Sequence, residues 1–535
     1  MQLSRLSIAL AGITMAIALP ASAQHGSDHE HPPPQLGNVN FQVDCNPQAQ
    51  NEFNVAMAYY HSYAWTYIQE PINKVLQADP SCGMAHWLRA LTTLDNAFTW
   101  PIPLTPKALA DGEVALELAR KAGLRTQRER DYVDALAAFF KDRESVPLRP
   151  RALALEQGLE QVARRYPDDP EASILHALFV SANFDPTDKE FKNQLRAAQI
   201  LEPIFRERPQ HPGAAHYLIH TYDYPPIAQH GLDAARSYAK IAPSAPHALH
   251  MPSHIFTRVG AWRDSVESNR ASAAAAAEGE FAAAHAYDYM VYAHTQLAQD
   301  KAAMDVLTKL RAMKPVDNAA YAYAAAAVPA RIALERGAWT EAARVELFPP
   351  AGEFPWKKYP QSEANNAFAR GIGAAMAKDA AAAHGQFKRL IDLRDTSKIP
   401  YWVEQMDIQA EVVRGLALAA EEKGDEALEV LRKAADREDA TQKNVVTPGP
   451  LVPAREALAQ RLLADGSPTQ ALKEFESVMT REPNRYRTIA GAAQAAENSG
   501  DRAKAARYSR QLVELTSEAD APRPEIAQAR SVIQR

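Results

Sequence analysis

From about Asn51 onward, apolar residues recur at helical spacing, in pairs of amphipathic segments separated by short polar turns. The period is clearest near the C-terminus. Gly466 and Gly500 are 34 residues apart, as are Ala471 and Ala505, and Pro483 stands between them. Small residues at helix crossings, a turn glycine and a proline after each second helix at this period are the signature of tetratricopeptide (TPR) repeats. Similar turns fall at Gly260-Ala-Trp, Gly337-Ala-Trp and Gly424-Asp-Glu, at spacings longer than two ideal repeats, so the array is irregular. The pattern therefore predicts an all-α, TPR-type helical-hairpin solenoid, a right-handed superhelix with irregular repeats. Helix starts are expected after Pro80, Pro170, Pro209, Pro246 and Pro483, because proline suits a first turn whose N–H lacks an intrahelical partner. One such hairpin cannot bury its own apolar face. Stacking does so and leaves a concave surface lined by the first helix of each pair, the default place for a peptide or protein partner.

The boundaries follow. Arg5, the apolar stretch Leu6–Leu19 and the small residues Pro20-Ala-Ser-Ala23 read as an export signal (residues 1–23) cut near Ala23, which predicts a periplasmic or secreted protein. Residues 24–40, polar and Pro-rich with His25, His29 and His31, are expected to be a disordered tail. Residues 41–447 form the main solenoid, and 448–535 the C-terminal repeats, divided at Pro448-Gly449-Pro450. No later stretch is long and apolar enough for a membrane span. The formal charge is −6 without a basic patch, which argues against a nucleic-acid partner. Two cysteines, Cys45 and Cys82, in an oxidising compartment predict one disulfide.

The unusual chemistry is histidine. Of 16 histidines, nine lie between positions 211 and 294, where even spreading would place roughly two or three. His216 and His220 are four apart and Asp223 is three further on, so all three share one helix face. His250 and His254 follow 34 residues later, and His285 is 35 beyond His250, followed by Asp288. Three successive first helices thus carry imidazoles at equivalent positions, close enough to converge. Imidazole is the commonest metal ligand, and the i, i+4 pair is a chelating spacing. The set His216, His220, Asp223, His247, His250, His254, His285 and Asp288 is therefore a candidate transition-metal site for Zn, Cu or Fe, with the carboxylates as ligands or as groups orienting an imidazole. The alternatives are a metal-free polar groove for a peptide or small anion, a metal-dependent enzyme of unspecified reaction, or histidines that only pack. His211, His230 and His294 fit ordinary packing roles, as do the isolated His86 and His176. Pro252, inside the His250–His254 stretch, either starts the helix near His250 or kinks it and splays His247 and His250 from His254. The run Tyr59, Tyr60, His61, Tyr63, Trp65 and Tyr67 reads as packing. No phosphate-binding loop, G-x-S-x-G, H-E-x-x-H or haem-attachment motif is found.

The stretches Arg208-Pro-Gln-His-Pro-Gly-Ala-Ala-His-Tyr-Leu-Ile-His-Thr-Tyr-Asp223 and Pro246-His-Ala-Leu-His-Met-Pro-Ser-His-Ile-Phe256 resemble a group of exported bacterial TPR-repeat proteins. So do Asp79-Pro-Ser-Cys-Gly-Met-Ala-His-Trp87 and His285-Ala-Tyr-Asp-Tyr289. The resemblance spans about Asn40 to Leu310. It implies the fold and export, and carries no reaction with it.

Overall fold

The computed structural model describes residues 34–100, 102–185, 187–276, 281–442, 444 and 447–535. The export signal and residues 24–33 of the expected tail lie outside the described residues. Among those described, the chain is helical throughout: 26 α-helices and three short 3-10 helices, with no strand. Most helices pack against the next and many also against the one after, as in a stack of hairpins. No described helix is long and apolar enough to cross a membrane.

The repeat is marked by its turn more faithfully than by its glycines. Seven first helices end on a left-handed residue: Gly260, Ala298, Gly337, Lys378, Glu422, Gly466 and Gly500, with φ between 55° and 81°. In every one, the next residue's N–H returns to a carbonyl five residues back, as from Ala261 to Phe256, Gln299 to His294 and Asp379 to Ala374. This is the helix-ending Schellman motif, in which glycine is favoured because it lacks a Cβ. Ala298, Lys378 and Glu422 adopt the conformation without being glycine. The long gaps between Gly260, Gly337 and Gly424 each therefore hold one further repeat, and the turn expected at Gly424 sits at Glu422. The repeat length runs from 34 to 44 residues.

Prolines mark helix starts in two ways. Pro170 and Pro246 occupy the first turn, as expected. After Pro80, Pro209 and Pro483 the helix begins three residues later, at Gly83, Pro212 and Tyr486. In the first two cases the proline is the second residue of a tight turn, closed by Cys82 N–H to Asp79 O (3.0 Å) and His211 N–H to Arg208 O (2.9 Å).

Both ends of the array return to its middle. The first helix, Pro47–His61, packs on Pro212–Tyr222. Although residues up to 40 are expected to be disordered, Leu36 is buried, Asn38 N–H reaches Gln210 O at 2.8 Å, and Gln35 N–H reaches Ser244 Oγ at 2.9 Å. From the other end, Trp262 Nε1 donates to Asn484 O (2.8 Å), and Tyr486 N–H donates to Gln296 Oε1 (2.8 Å). The segment Pro448-Gly449-Pro450, read as a break, is half-buried or buried, and Arg331 donates to the carbonyls of Gly449 and Pro450. One apolar core runs on both sides of it, from Ala298 to Ala529. Residues 35–535 form a single unit.

The expected disulfide joins Cys45 to Cys82, with Cα atoms 5.4 Å apart, and ties the entry of the first helix to the start of Gly83–Thr92. Non-reducing mass spectrometry should recover the linked peptide. By loop-closure entropy, the Cys45→Ser, Cys82→Ser double variant should lose roughly 3–4 kcal/mol in denaturant unfolding. A second expectation concerns Arg485, fully buried between Glu456 (Nε to Oε2, 2.8 Å), Glu335 (2.6 Å, a charge contact rather than an aligned hydrogen bond) and the Tyr292 hydroxyl (3.2 Å). Arg485→Met would leave two buried carboxylates without their cation and should cost about 3–5 kcal/mol, read as a lower melting temperature.

Candidate metal centre

The helix Pro212–Tyr222 is buried along its whole length, so His216 and His220 point into protein rather than into an open groove. The next first helix is broken. Pro246–His250 and Pro252–Val259 abut at Met251, because Pro252 supplies no N–H to continue the ladder. His285 lies on Phe281–Gln296.

These six imidazoles sort into two triads. His216, His220 and His247 converge with one ring nitrogen each, all within 4.8 Å of one another, and His250, His254 and His285 do the same. His247 Nε2 lies 3.2 Å from His216 Nε2, and His250 Nε2 lies 3.0 Å from His254 Nε2. The helix break thus sends His247 and His250 to different triads and leaves His250 and His254 together.

What each ring does with its other nitrogen fixes its tautomer. His216 Nδ1–H donates to the carbonyl of His61 (2.6 Å), and His254 Nδ1–H to the carboxylate of Asp223 (2.9 Å). His250 Nδ1–H donates to Asn269 Oδ1 (2.7 Å); the amide orientation is set because Asn269 Nδ2 donates to Ser265 O (2.7 Å). With the proton on Nδ1, the Nε2 of each neutral ring presents a lone pair to its triad. Burial, and then the neighbouring imidazoles, hold His216 and His247 well below the ordinary histidine range, so both are neutral at pH 7. Aromatic rings wall the cluster. Phe98 stacks on His220 with centroids 4.0 Å apart, Tyr63 on His247 at 5.6 Å and Tyr289 on His254 at 5.0 Å.

The two carboxylates named from sequence part company. Asp223 orients His254 and also pairs with Arg258 (3.1 Å), which reaches on to Glu482 at 3.6 Å. Asp288 belongs to neither triad. It faces Arg331 at 3.4 Å, and burial pushes its carboxyl up to about 6. Of the histidines assigned ordinary roles, His294 bonds Gln299 (2.7 Å), and His176 sits beside Arg196 with its pKa lowered to about 4 by burial and that charge.

A third group, His61, Glu171 and His211, is also within ligand distance but has different chemistry. The N–H of Ala214 donates to His211 Nδ1 (3.3 Å), so the His211 proton sits on Nε2 and points to Glu171 Oε1 (2.9 Å). His61 Nε2 points to Glu171 Oε2 (2.9 Å), while its Nδ1 accepts from the Tyr217 hydroxyl (2.9 Å). Both rings donate inward, which is a hydrogen-bonded clamp and not a donor set for a metal. Burial raises the Glu171 pKa, but His211 and His61 outweigh it and leave the carboxyl below its usual range.

Sequence reasoning missed His61, Asn269, Phe98 and Arg258. The aromatic run around His61 was the one visible sign that the first helix packs on something aromatic; nothing marked Asn269.

No family model matches the chain, and no curated protein matches it. Among solved structures, it is similar to the APC/C hetero-tetramer Cut9–Hcn1 (13% identity, 86% of this chain and 78% of that one, TM-score 0.34). It is also similar to yeast Tom70 (12%, 91% and 88%, 0.27) and to the TPR domain of P58(IPK) (10%, 85% and 98%, 0.23). Superpositions this loose add nothing about the site, and the hairpin architecture rests on the chain's own geometry.

Because Glu171 accepts from two buried rings, Glu171→Gln keeps the size but loses one acceptor. It should lower stability by about 1–3 kcal/mol in urea titrations, and leave the number of ions bound per chain unchanged.

Proposed function

We propose that this is an exported helical-repeat protein that holds transition-metal ions in its two histidine triads. The observation that carries the reading is the facing of His250 and His254. Both are committed to donating from Nδ1, so both turn Nε2 lone pairs toward each other at 3.0 Å. Two lone pairs at that distance need a cation between them. A proton can join two nitrogens, but His285 brings a third to the same point, which is the donor set of a metal. Metal–nitrogen bonds of about 2.0–2.1 Å give ligand–ligand edges of roughly 2.8–3.4 Å as the angle at the metal opens from square to tetrahedral, which brackets both N···N distances. The acceptors on Nδ1 are the supporting shell that metal-binding histidines need. Imidazole donors favour Zn, Cu or Fe over Ca or Mg. The Cys45–Cys82 disulfide suits the oxidising compartment that the leader implies.

Elemental analysis of tag-free protein is expected to find a transition metal, lost in the His220→Ala, His254→Ala double variant. Trace metal that the double variant does not change would overturn the reading. Asp223→Asn should weaken metal affinity by about 10–100-fold in competition with a chelator.

Acid should release the metal. Imidazoles bind only when neutral, and those of an unfolded chain protonate near 6.5. Folded His216 and His247 are held below that, so between pH 6.5 and their own values the unfolded state binds more protons and stability is lost as the pH drops. Thermal melts should therefore show a metal-dependent gain at pH 7.5, about 2.7 kcal/mol at a hundredfold excess over Kd, that shrinks strongly by pH 5. A melting temperature unmoved by verified metal removal at pH 7.5 would count against the site.

The metal-free reading has its own foothold. A cavity of about 90 Å³, lined by Tyr323, Phe368, Trp402, Arg481, Glu438 and by Arg258, the partner of Asp223, has room for part of a peptide. A specific partner retained in excess chelator would favour it.

A further inference from the structure

We propose that the two triads are one dinuclear copper centre whose exchangeable ligand is dioxygen, bound between the two ions. The proposal rests on the metal reading above and adds three things to it: nuclearity, metal and ligand.

Nuclearity follows from the spacing of the rings. Within a triad, centroids are 4.4–6.4 Å apart. Across the triads, His220 is 5.9 Å from His254 and His247 is 6.2 Å from His250. Two pairs of rings from different triads are thus as close as rings of the same one. Ions held by them are near neighbours, in the regime where one small ligand touches both. Each triad supplies three imidazoles, which leaves a position on each ion for such a bridge.

The metal follows from charge. All six donors are neutral imidazoles. The carboxylate that touches them, Asp223, is already opposed by Arg258, which Glu482 opposes in turn. Two bare divalent ions would bring four positive charges into a buried site with little to offset them, which is costly. Two copper(I) ions bring two, and copper is well served by imidazole.

The ligand follows from the same count. When dioxygen binds between two copper(I) ions, each copper gives one electron and becomes copper(II). The O–O bond is reduced from double to single, and the product is a bridging peroxide dianion. No proton moves and no bond to the protein changes. The total charge stays at two positive, so a shell of six neutral ligands suits both states equally. Reversal returns both electrons to the metals and releases dioxygen. The rings of Tyr63, Phe98 and Tyr289 keep the walls apolar, while His247 and His285, one in each triad, are only half-buried and leave a side open to a small molecule.

The test uses the tag-free full chain, stripped of metal and titrated anaerobically with copper(I) alone. Two coppers per chain are expected. Admitting oxygen should consume one O2 per two coppers, reversibly under vacuum. The oxygenated protein should give no copper(II) EPR signal, because two bridged ions with one unpaired electron each couple to a singlet. His247→Ala and His285→Ala each remove one half-buried ligand. Each should bind one copper tightly, take up no O2 at the paired ratio, and show on oxidation an EPR signal that accounts for its copper. Two coppers per chain with a full, uncoupled EPR signal would overturn the dinuclear proposal and leave metal binding standing. So would a single copper per chain, or tightly bound zinc that copper does not displace. Failure to bind any metal would sink the underlying reading as well. If either variant proves unfolded by circular dichroism, the stoichiometry and EPR of the unaltered protein decide alone.

Discussion

The carbonyl of His61 accepts a hydrogen bond from His216, 155 residues further along the chain. This bond couples the fold to the site. It exists only because the first helix closes back on Pro212–Tyr222, and it commits the His216 proton to Nδ1, so that Nε2 faces its triad. The ring of the same residue ties Tyr217 to Glu171, and Glu171 in turn holds His211, the N-cap of the helix that carries His216 and His220. His61 thus acts through its main chain on one imidazole of a triad, and through its side chain on the placement of the helix that supplies two. An open superhelix could not do this, since its first and fifth hairpins would not touch. Closure removes the histidines from the concave surface where a peptide would lie and turns that part of the groove into an interior.

Charge holds the other side. Arg258 links Asp223 to Glu482, and Arg485 links Glu456 to Glu335 and Tyr292, so the last repeats are fastened to the middle ones through buried guanidinium groups. Such networks add little net stability once the cost of desolvation is met, but they specify geometry, because a shifted register would strand a charge. The Asp223–Arg258 pair matters most, since the guanidinium that holds the carboxylate orienting His254 is itself met by Glu482 of the C-terminal repeats.

Much of this was legible in the sequence. The 34-residue recurrence of His216 and His220 at His250 and His254 was enough to place the imidazoles on adjacent helices, because repeat period converts directly into side-by-side position. The disulfide was legible from compartment and cysteine count. What could not be read has common physical causes. Ala298 and Lys378 hide turns because a left-handed residue need not be glycine when the surrounding motif satisfies its backbone. His61 and Asn269 are second partners supplied by remote segments, and no local pattern announces a hydrogen-bond acceptor. Asp288 shares a helix with His285 at a spacing that suggests a shared role, but Arg331 claims it on another face.

The division into two triads comes partly from the repeat and partly from the helix break at Pro252. Each triad takes an i, i+4 pair from one repeat and a single ring from the next: His216 and His220 with His247, then His250 and His254, on either side of the helix break, with His285. The repeat carries the i, i+4 pair from the first set to the second, but not the third ring: His285 stands 35 residues beyond His250, whereas the residue 35 beyond His247 is Ala282. The series must stop for the pair to stay a pair. At the position of the next helix that corresponds to His254, 35 residues on, stands Tyr289, and its ring stacks on His254 instead of offering a nitrogen. Burial pushes the Tyr289 hydroxyl well above its ordinary pKa, so it stays protonated and donates to the carbonyl of Thr447 rather than acting as an anionic ligand. A neutral aromatic ring at this position ends the row of imidazoles and covers one end of the cluster.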